Sequence, residues 1–345
     1  MSSSSQFLNP AAAAQRLGVS AKALRLYEQR GLIIPSRTAA GYRTYGPDEM
    51  ARAGEIVALR ALGLSLAQVV RVLAGDPESL EPALAAHQIT LESRIRDLAA
   101  TVENVRQLRA DLAQGRSPAA GELARLLVPE TELAVAFDLP WPWGGERFEL
   151  RDIRPLNYII GPLGSGKTRL AMALADALPG AVFLGLDRLE HGSAAAQAQL
   201  QANQALKARV DQTQQWLVDD GATPSDALTA LLAGLESENA AVVVVDTVEQ
   251  GLNHATQEAV IAHLRNRGSG SRPLFLMTRS SAILDLAAIG ADEAIILCPA
   301  NHSPPSRVAP YPGAPGYEAV ATSLATPEVR ARTEGVIAFR PPQVA

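Results

Sequence analysis

Residues 161–168 read Gly-Pro-Leu-Gly-Ser-Gly-Lys-Thr, and nothing else in the 345-residue chain constrains its fold as tightly. The octet follows the apolar run Leu156–Ile160 and precedes a helix-forming stretch, so it reads as strand, glycine-rich turn and helix N-terminus. In that context Gly161, Gly164 and Gly166, with Ser165 between them, let backbone N–H groups wrap phosphate oxygens. Lys167 is then placed to neutralise β- and γ-phosphate oxygens, and the Thr168 hydroxyl to ligate Mg²⁺. The chain has only three lysines, Lys22, Lys167 and Lys207, so a lysine here is no by-product of composition.

Further apolar runs at Ala181–Gly185, Ala241–Val245, Leu274–Met277 and Ala294–Leu297 alternate with helical stretches. Together with Leu156–Ile160 they predict a mainly parallel sheet with helices on its faces. Gly161–Thr168 is therefore a Walker A loop, and Ala241-Val-Val-Val-Val-Asp246 its Walker B strand. The four valines are ordinary for a buried strand. Asp246 carries the meaning, because ligands bind at the carboxyl ends of such strands, and it is expected to hold Mg²⁺ through water. ATP and Mg²⁺ are the expected cofactors.

Composition narrows the remaining choices. With 47% hydrophobic and 19% charged residues the chain can bury real cores, and its length suits two or three domains. Its single cysteine, Cys298, excludes a disulfide framework and a thiolate metal cage within one chain. No apolar stretch is long enough to span a membrane, and no signal peptide is visible at the N-terminus, so a cytoplasmic location is expected. The net charge of −5 hides a split, since residues 1–74 carry nine basic and four acidic side chains. A basic module on an acidic chain suits a phosphate backbone as partner.

That module reads as short helices and tight turns. Asn9-Pro10 opens a helix over Ala11–Leu17, Gly18 stops it, and Ser20 caps a second helix, Ala21–Arg30, closed by Gly31. Two short helices about a glycine-containing turn make a helix-turn-helix. Leu32–Ile34, a polar tip at 37–41 and Tyr42–Tyr45 follow as a small β-wing. Lys22, Arg25 and Tyr27 are the candidate groove-reading residues, with Arg37, Arg43 and Tyr45 on the wing for phosphates. A helical run from Glu78 to Gln114 then repeats apolar residues at spacings of three and four, the seam of a coiled coil that needs a partner.

Ala14–Ser20, Ala23–Arg37, Gly41–Tyr45 and Leu59–Leu66 together resemble the MerR family of transcription regulators over roughly the first 74 residues. The resemblance implies a homodimer, joined by an antiparallel coiled coil, that binds pseudo-palindromic promoter double-stranded DNA and regulates by distorting it, with RNA polymerase as a candidate partner. Residues 150–290 resemble the ATPase heads of ABC proteins in the branch that includes SMC-like and repair ATPases. Phe148–Gly161 is similar to the lead-in strands, Asp246–Leu252 to the extended Walker B, and Leu276–Leu284 to the switch segment. Three departures matter. Thr247 stands where that family has its catalytic glutamate, Arg279 replaces the switch histidine, and the signature loop survives at best as Thr223–Ala227.

The expected fold class is thus multidomain. A winged helix-turn-helix unit spans 1–75, a dimerisation helix 76–116, and a linker with lead-in strands 117–150. An α/β P-loop nucleotide-binding domain spans 151–300, and residues 301–345 extend beyond it. The leading functional reading is a promoter-binding regulator gated by ATP. Threonine cannot act as a carboxylate base, so hydrolysis should be slow or absent, with Glu249 the substitute catalytic candidate and Arg279 a fixed cation for the γ-phosphate. An enzyme reading, a P-loop ATPase or small-molecule kinase with an autoregulatory module, would instead make Asp187 or Glu249 essential. A DNA-architecture ATPase is a third reading, disfavoured by the complete recognition-helix and wing pattern. Trp141 and Trp143 read as packing residues ahead of the core strands, with adenine stacking as the alternative.

Overall fold

The computed structural model describes residues 7–116, 133–267, 270–327 and 329. The first part of the notional linker, residues 117–132, and the chain beyond 329 lie outside them. The chain divides into two units, one formed by residues up to 134 with the short stretches 150–153 and 265–268, the other by the remainder.

Local chemistry sets the first unit's helices. In α1 (Pro10–Leu17) the Asn9 side chain accepts the Ala12 N–H at 2.9 Å, proline occupies the first turn, and Gly18 ends the helix at φ +67°. Ser20 caps α2 (Ala21–Gln29) by accepting the Ala23 N–H at 3.0 Å. Each such cap contributes about 1 kcal/mol. Strands β1 (Ser36–Arg37) and β2 (Arg43–Thr44) pair antiparallel as the expected wing, with Gly41 in the left-handed region at its tip. Helices α3 (Pro47–Ala61) and α4 (Leu66–Leu73) follow, the latter opened by a reciprocal Ser65–Gln68 capping box.

Leu24, Tyr27, Ile33, Tyr45, Ile56, Leu64 and Val69 form one core. Burying side chains of this size contributes roughly 1.5–3 kcal/mol each. Helix α5 (Leu80–Ala113) runs for 34 residues. Along it Leu84, Leu91, Ile95, Leu98, Val102, Val105 and Leu112 are exposed, and they keep the 3.5-residue repeat of a coiled-coil seam.

In the second unit β3 (Val135–Asp138) and β4 (Arg147–Leu150) form a small two-stranded sheet apart from the main one. The main sheet has six strands in the order β10-β9-β5-β8-β7-β6. These are β5 (Leu156–Ile160), β6 (Ala181–Leu184), β7 (Val242–Val245), β8 (Leu274–Met277), β9 (Glu293–Leu297) and β10 (Ser306–Val308). All pairs are parallel except β9 with β10. The first five match the strands expected from the sequence. The edge strand β10 and the helix at Tyr317–Ser323 fall in the proline-rich region that carries no periodicity.

Every residue of β5 is buried, including Asn157. That amide is tolerated because it is satisfied: Oδ1 accepts the Arg154 N–H at 3.0 Å and Nδ2 donates to the Leu274 carbonyl at 3.2 Å. After β5 the chain crosses to the β6 edge, whereas after β8 it returns past β5 to β9. Neighbouring strands that lead away in opposite directions open a crevice at their carboxyl ends.

Candidate nucleotide and nucleic-acid sites

The loop Gly161–Gly166 lies in that crevice, between β5 and α6 (Lys167–Ala177). Its glycines are steric requirements. A Cβ on Gly161 would stand 2.3 Å from the Cys298 carbonyl oxygen and 2.7 Å from Ser165 Oγ. Gly166 has φ +91°, and a Cβ there would meet the Trp143 ring at 2.6 Å. Trp143 is buried, and its indole N–H donates to the Ser303 carbonyl at 3.1 Å, so it walls the loop. Trp141 is 76% exposed and does not pack as expected.

Inside the loop the Ser165 hydroxyl is buried without a hydrogen-bond partner. Lys167 Nζ donates to the carbonyls of Gly161 at 2.8 Å and Pro162 at 2.7 Å. Burial lowers the Lys167 pKa to about 8, with Arg279 adding to the fall, while Cys298 and Asp246 oppose it. An ammonium this far from water, above a loop with an orphaned hydroxyl, fits an incoming polyanion.

The two residues expected to hold Mg²⁺ are brought together. Thr168, at the start of α6, donates through Oγ1 to Asp246 Oδ2 at 3.2 Å, and Thr247 donates to Asp246 Oδ1 at 2.8 Å. Asp246 itself is buried at the end of β7. A hydroxyl beside a buried carboxylate is an oxygen donor set suited to Mg²⁺. Thr247 has φ +46°, a left-handed conformation that costs a β-branched residue on the order of 1–3 kcal/mol.

Glu249 is buried, and its Oε1 accepts the Arg279 backbone N–H at 3.0 Å. That bond gives it a role in holding the segment after β8. Ala325 N–H donates to the Arg279 carbonyl at 2.9 Å, so the stretch after β8 is tied on two sides. Arg279 lines a cavity of about 570 Å³ with Pro162, Leu163, Asn301 and Thr322 among its other walls. The signature-like segment is an ordinary cap: Ser225 Oγ accepts the Leu228 N–H at 3.2 Å to start the helix Asp226–Leu235.

Asp187 is exposed, and the residue that reaches the site is its neighbour. Arg188 donates to the main-chain carbonyls of Gly185, Asp246 and Thr247. Burial lowers its pKa to about 10, against the pull of Asp246 and Asp187. Sequence reasoning missed it because carbonyl acceptors leave no mark in a sequence.

In the first unit, Lys22, Arg25 and Arg37 are exposed on α2 and the wing, and Arg37 also donates to the Gly41 carbonyl at 2.9 Å. The two tyrosines need correction. Tyr27 is 5% exposed and Tyr45 fully buried, so both are core residues and present no face to a groove. The Tyr45 hydroxyl donates to Glu28 Oε1 on α2, and Arg43 donates to Glu28 Oε2 at 2.7 Å. The hydrogen bond and charge of Glu28 raise the Arg43 pKa, and burial, then Glu28, push that of Tyr45 well up. Arg43 is thereby committed to an internal pair, while Tyr42, not singled out for contact, is 74% exposed on the wing.

Residues 8–76 match the family described as MerR HTH family regulatory protein. A probable heavy metal-dependent transcriptional regulator of Haemophilus influenzae is 34% identical over 115 residues, covering 31% of this chain and 89% of that protein. The chain belongs to the MerR family. The transcriptional regulator BrlR of Pseudomonas aeruginosa is 37% identical over 83 residues, covering 22% of this MerR-family chain and 31% of BrlR. The match thus spans about a third of that relative's length. The ATP-binding cassette MJ1267 of an ABC transporter, solved in its ADP conformation, gives a TM-score of 0.33 at 13% identity, over 59% of this chain and 99% of that one. A likeness at that level carries no weight, and the α/β unit is read from its own geometry. Among the described residues no helix is long and apolar enough to cross a membrane.

Proposed function

We propose that this chain is a promoter-binding regulator of the MerR type whose α/β unit binds Mg-ATP, and that nucleotide occupancy gates DNA binding or distortion. The observation that carries the nucleotide half is the convergence of Lys167, Thr168, Asp246 and Arg279 at the carboxyl ends of β5, β7 and β8. The loop amides from Gly161 to Gly166 cradle phosphate oxygens, Lys167 exchanges its two carbonyl partners for them, and Arg279 supplies a second cation. Mg²⁺, held by Thr168 and Asp246, would neutralise charge between the β- and γ-phosphates.

Hydrolysis is slow in this reading. Thr247 offers no carboxylate to orient water, and the Glu249 carboxylate is engaged by a backbone amide. Lys22, Arg25 and Arg37 supply the DNA contacts, with Tyr27, Tyr45 and Arg43 holding the shape that presents them. The exposed apolar line of α5 supplies the seam of a homodimer. RNA polymerase is the partner such a promoter complex would meet.

Fluorescence anisotropy of the protein on its own upstream DNA tests the coupling, with and without Mg-ATP at fixed salt, for wild type and Lys167→Ala. ATP is expected to shift wild-type affinity by several-fold or more, while Lys167→Ala binds DNA as the nucleotide-free protein does and ignores ATP. Identical binding under all conditions would remove gating and favour the enzyme reading.

A further inference from the structure

Arg188 lies in the 3₁₀ turn after β6, and neither phosphate binding nor DNA binding as described above uses it. Its side chain reaches the carboxyl end of β7. Nη1 donates to the carbonyls of Gly185 and Asp246, each at 2.8 Å, and Nη2 donates to that of Thr247 at 2.7 Å.

A guanidinium beside a carboxylate ordinarily forms a forked ion pair with it. Here the fork grips the main chain instead. The Asp246 carboxylate is left with two hydroxyl donors, Thr168 on one oxygen and Thr247 on the other. The gripped turn contains Thr247 in its left-handed conformation, which needs outside support to persist. Two linked carbonyls held by one rigid, planar cation provide that support, and a lysine, with a point charge on a flexible stem, cannot reproduce the fork.

We propose that Arg188 is the positioning residue of the magnesium-binding acid: by holding the Asp246–Thr247 turn through its carbonyls, it keeps the carboxylate aimed at Thr168 and open to the metal. The loop after β6 thereby sets how strongly nucleotide binding depends on Mg²⁺. This inference rests on the Mg-ATP reading above.

Isothermal titration of ATP into the full-length protein, in EDTA and in Mg²⁺, separates the metal-dependent gain from binding by the loop alone. Arg188→Met is expected to keep its affinity in EDTA and to lose on the order of 10- to 100-fold of the gain that Mg²⁺ gives, the range for residues that orient metal ligands. Arg188→Lys should lose an intermediate part. It also keeps the cation, so it carries the test if the methionine variant does not fold by circular dichroism. Variants that keep the full Mg²⁺ gain, or that lose ATP binding equally in EDTA and in Mg²⁺, overturn the proposal, the latter by showing general support of the fold. A wild-type protein that binds no ATP in either buffer overturns the nucleotide reading itself, and this inference with it.

Discussion

In the first unit the proposed DNA-facing cations Lys22, Arg25 and Arg37 stand in water on short elements. In the α/β unit Lys167 and Arg188 are withdrawn from water, and burial lowers both pKa values. The same residue chemistry is therefore used in two ways. An exposed cation costs little to maintain and acts on a long polyanion through many weak, salt-screened contacts. A buried cation is costly until a ligand or a carbonyl satisfies it, so it acts strongly at one place. Where the first unit draws charge inward, at the half-buried pair of Glu28 with Arg43 beside the buried Tyr45, the purpose is structural.

The largest expected effect breaks that structural triad. Glu28→Ala strips the buried Tyr45 hydroxyl and the half-buried Arg43 of one shared acceptor, and should destabilise the N-terminal unit by about 2–3 kcal/mol. Chemical denaturation followed by circular dichroism would check it. Tyr42→Ala, on the exposed side of the same wing, is the control that should leave stability unchanged. A smaller effect is expected at Gly161→Ala, where the new methyl meets a backbone carbonyl that cannot rotate away. It should cost roughly 1–3 kcal/mol and lower ATP affinity in calorimetry even where folding survives.

These two sites also mark where the sequence was readable. The turn from strand to helix at Gly161–Thr168 could be read outright, because three glycines, a lysine and a threonine at fixed spacing have one shared physical cause. The wing was readable as an element but not in its facing. Side chains alternate along a strand, so Arg43 and Tyr45 share one face and Tyr42 takes the other. Glu28, an acid on an otherwise basic recognition helix, was the available clue to which face turned inward. Arg188 had no such clue, since its partners are main-chain atoms of residues 58 and 59 positions away in sequence. The edge strand Ser306–Val308 escaped notice because three residues among prolines show no period.

The pH dependence of stability sharpens the contrast. Lys167 has a folded pKa of about 8 against an ordinary value of 10.5, so between those values the unfolded chain binds more protons and stability rises with pH. Burial raises Cys298 from 9.0 to about 12, so above pH 9 the folded chain holds the extra proton and stability falls. The two oppose each other from pH 9 to 10.5, leaving pH 8–9 as the window in which the Lys167 rise stands alone, at no more than about 1.4 kcal/mol per pH unit. Thermal melts across that window should show the rise in wild type and lose it in Lys167→Met. Mg-ATP should flatten it too, because bound phosphates keep the ammonium charged. A rise that survives Lys167→Met would assign it to another group.

The smallest effect on stability is expected at the exposed cations. Arg25 stands exposed on α2, so its removal takes away no core packing. Arg25→Ala should therefore melt with wild type yet bind promoter DNA more weakly. If Arg25 meets a phosphate, the slope of log affinity against log salt falls by about 1 and the loss is the same on every sequence. If it reads a base edge, the salt slope barely moves, and the loss of roughly 1–3 kcal/mol appears only on the cognate site. Either result keeps α2 as the contact helix and says which kind of contact it makes. An unchanged affinity on cognate and random DNA would take Arg25 out of the interface and leave Lys22 and the wing to carry it.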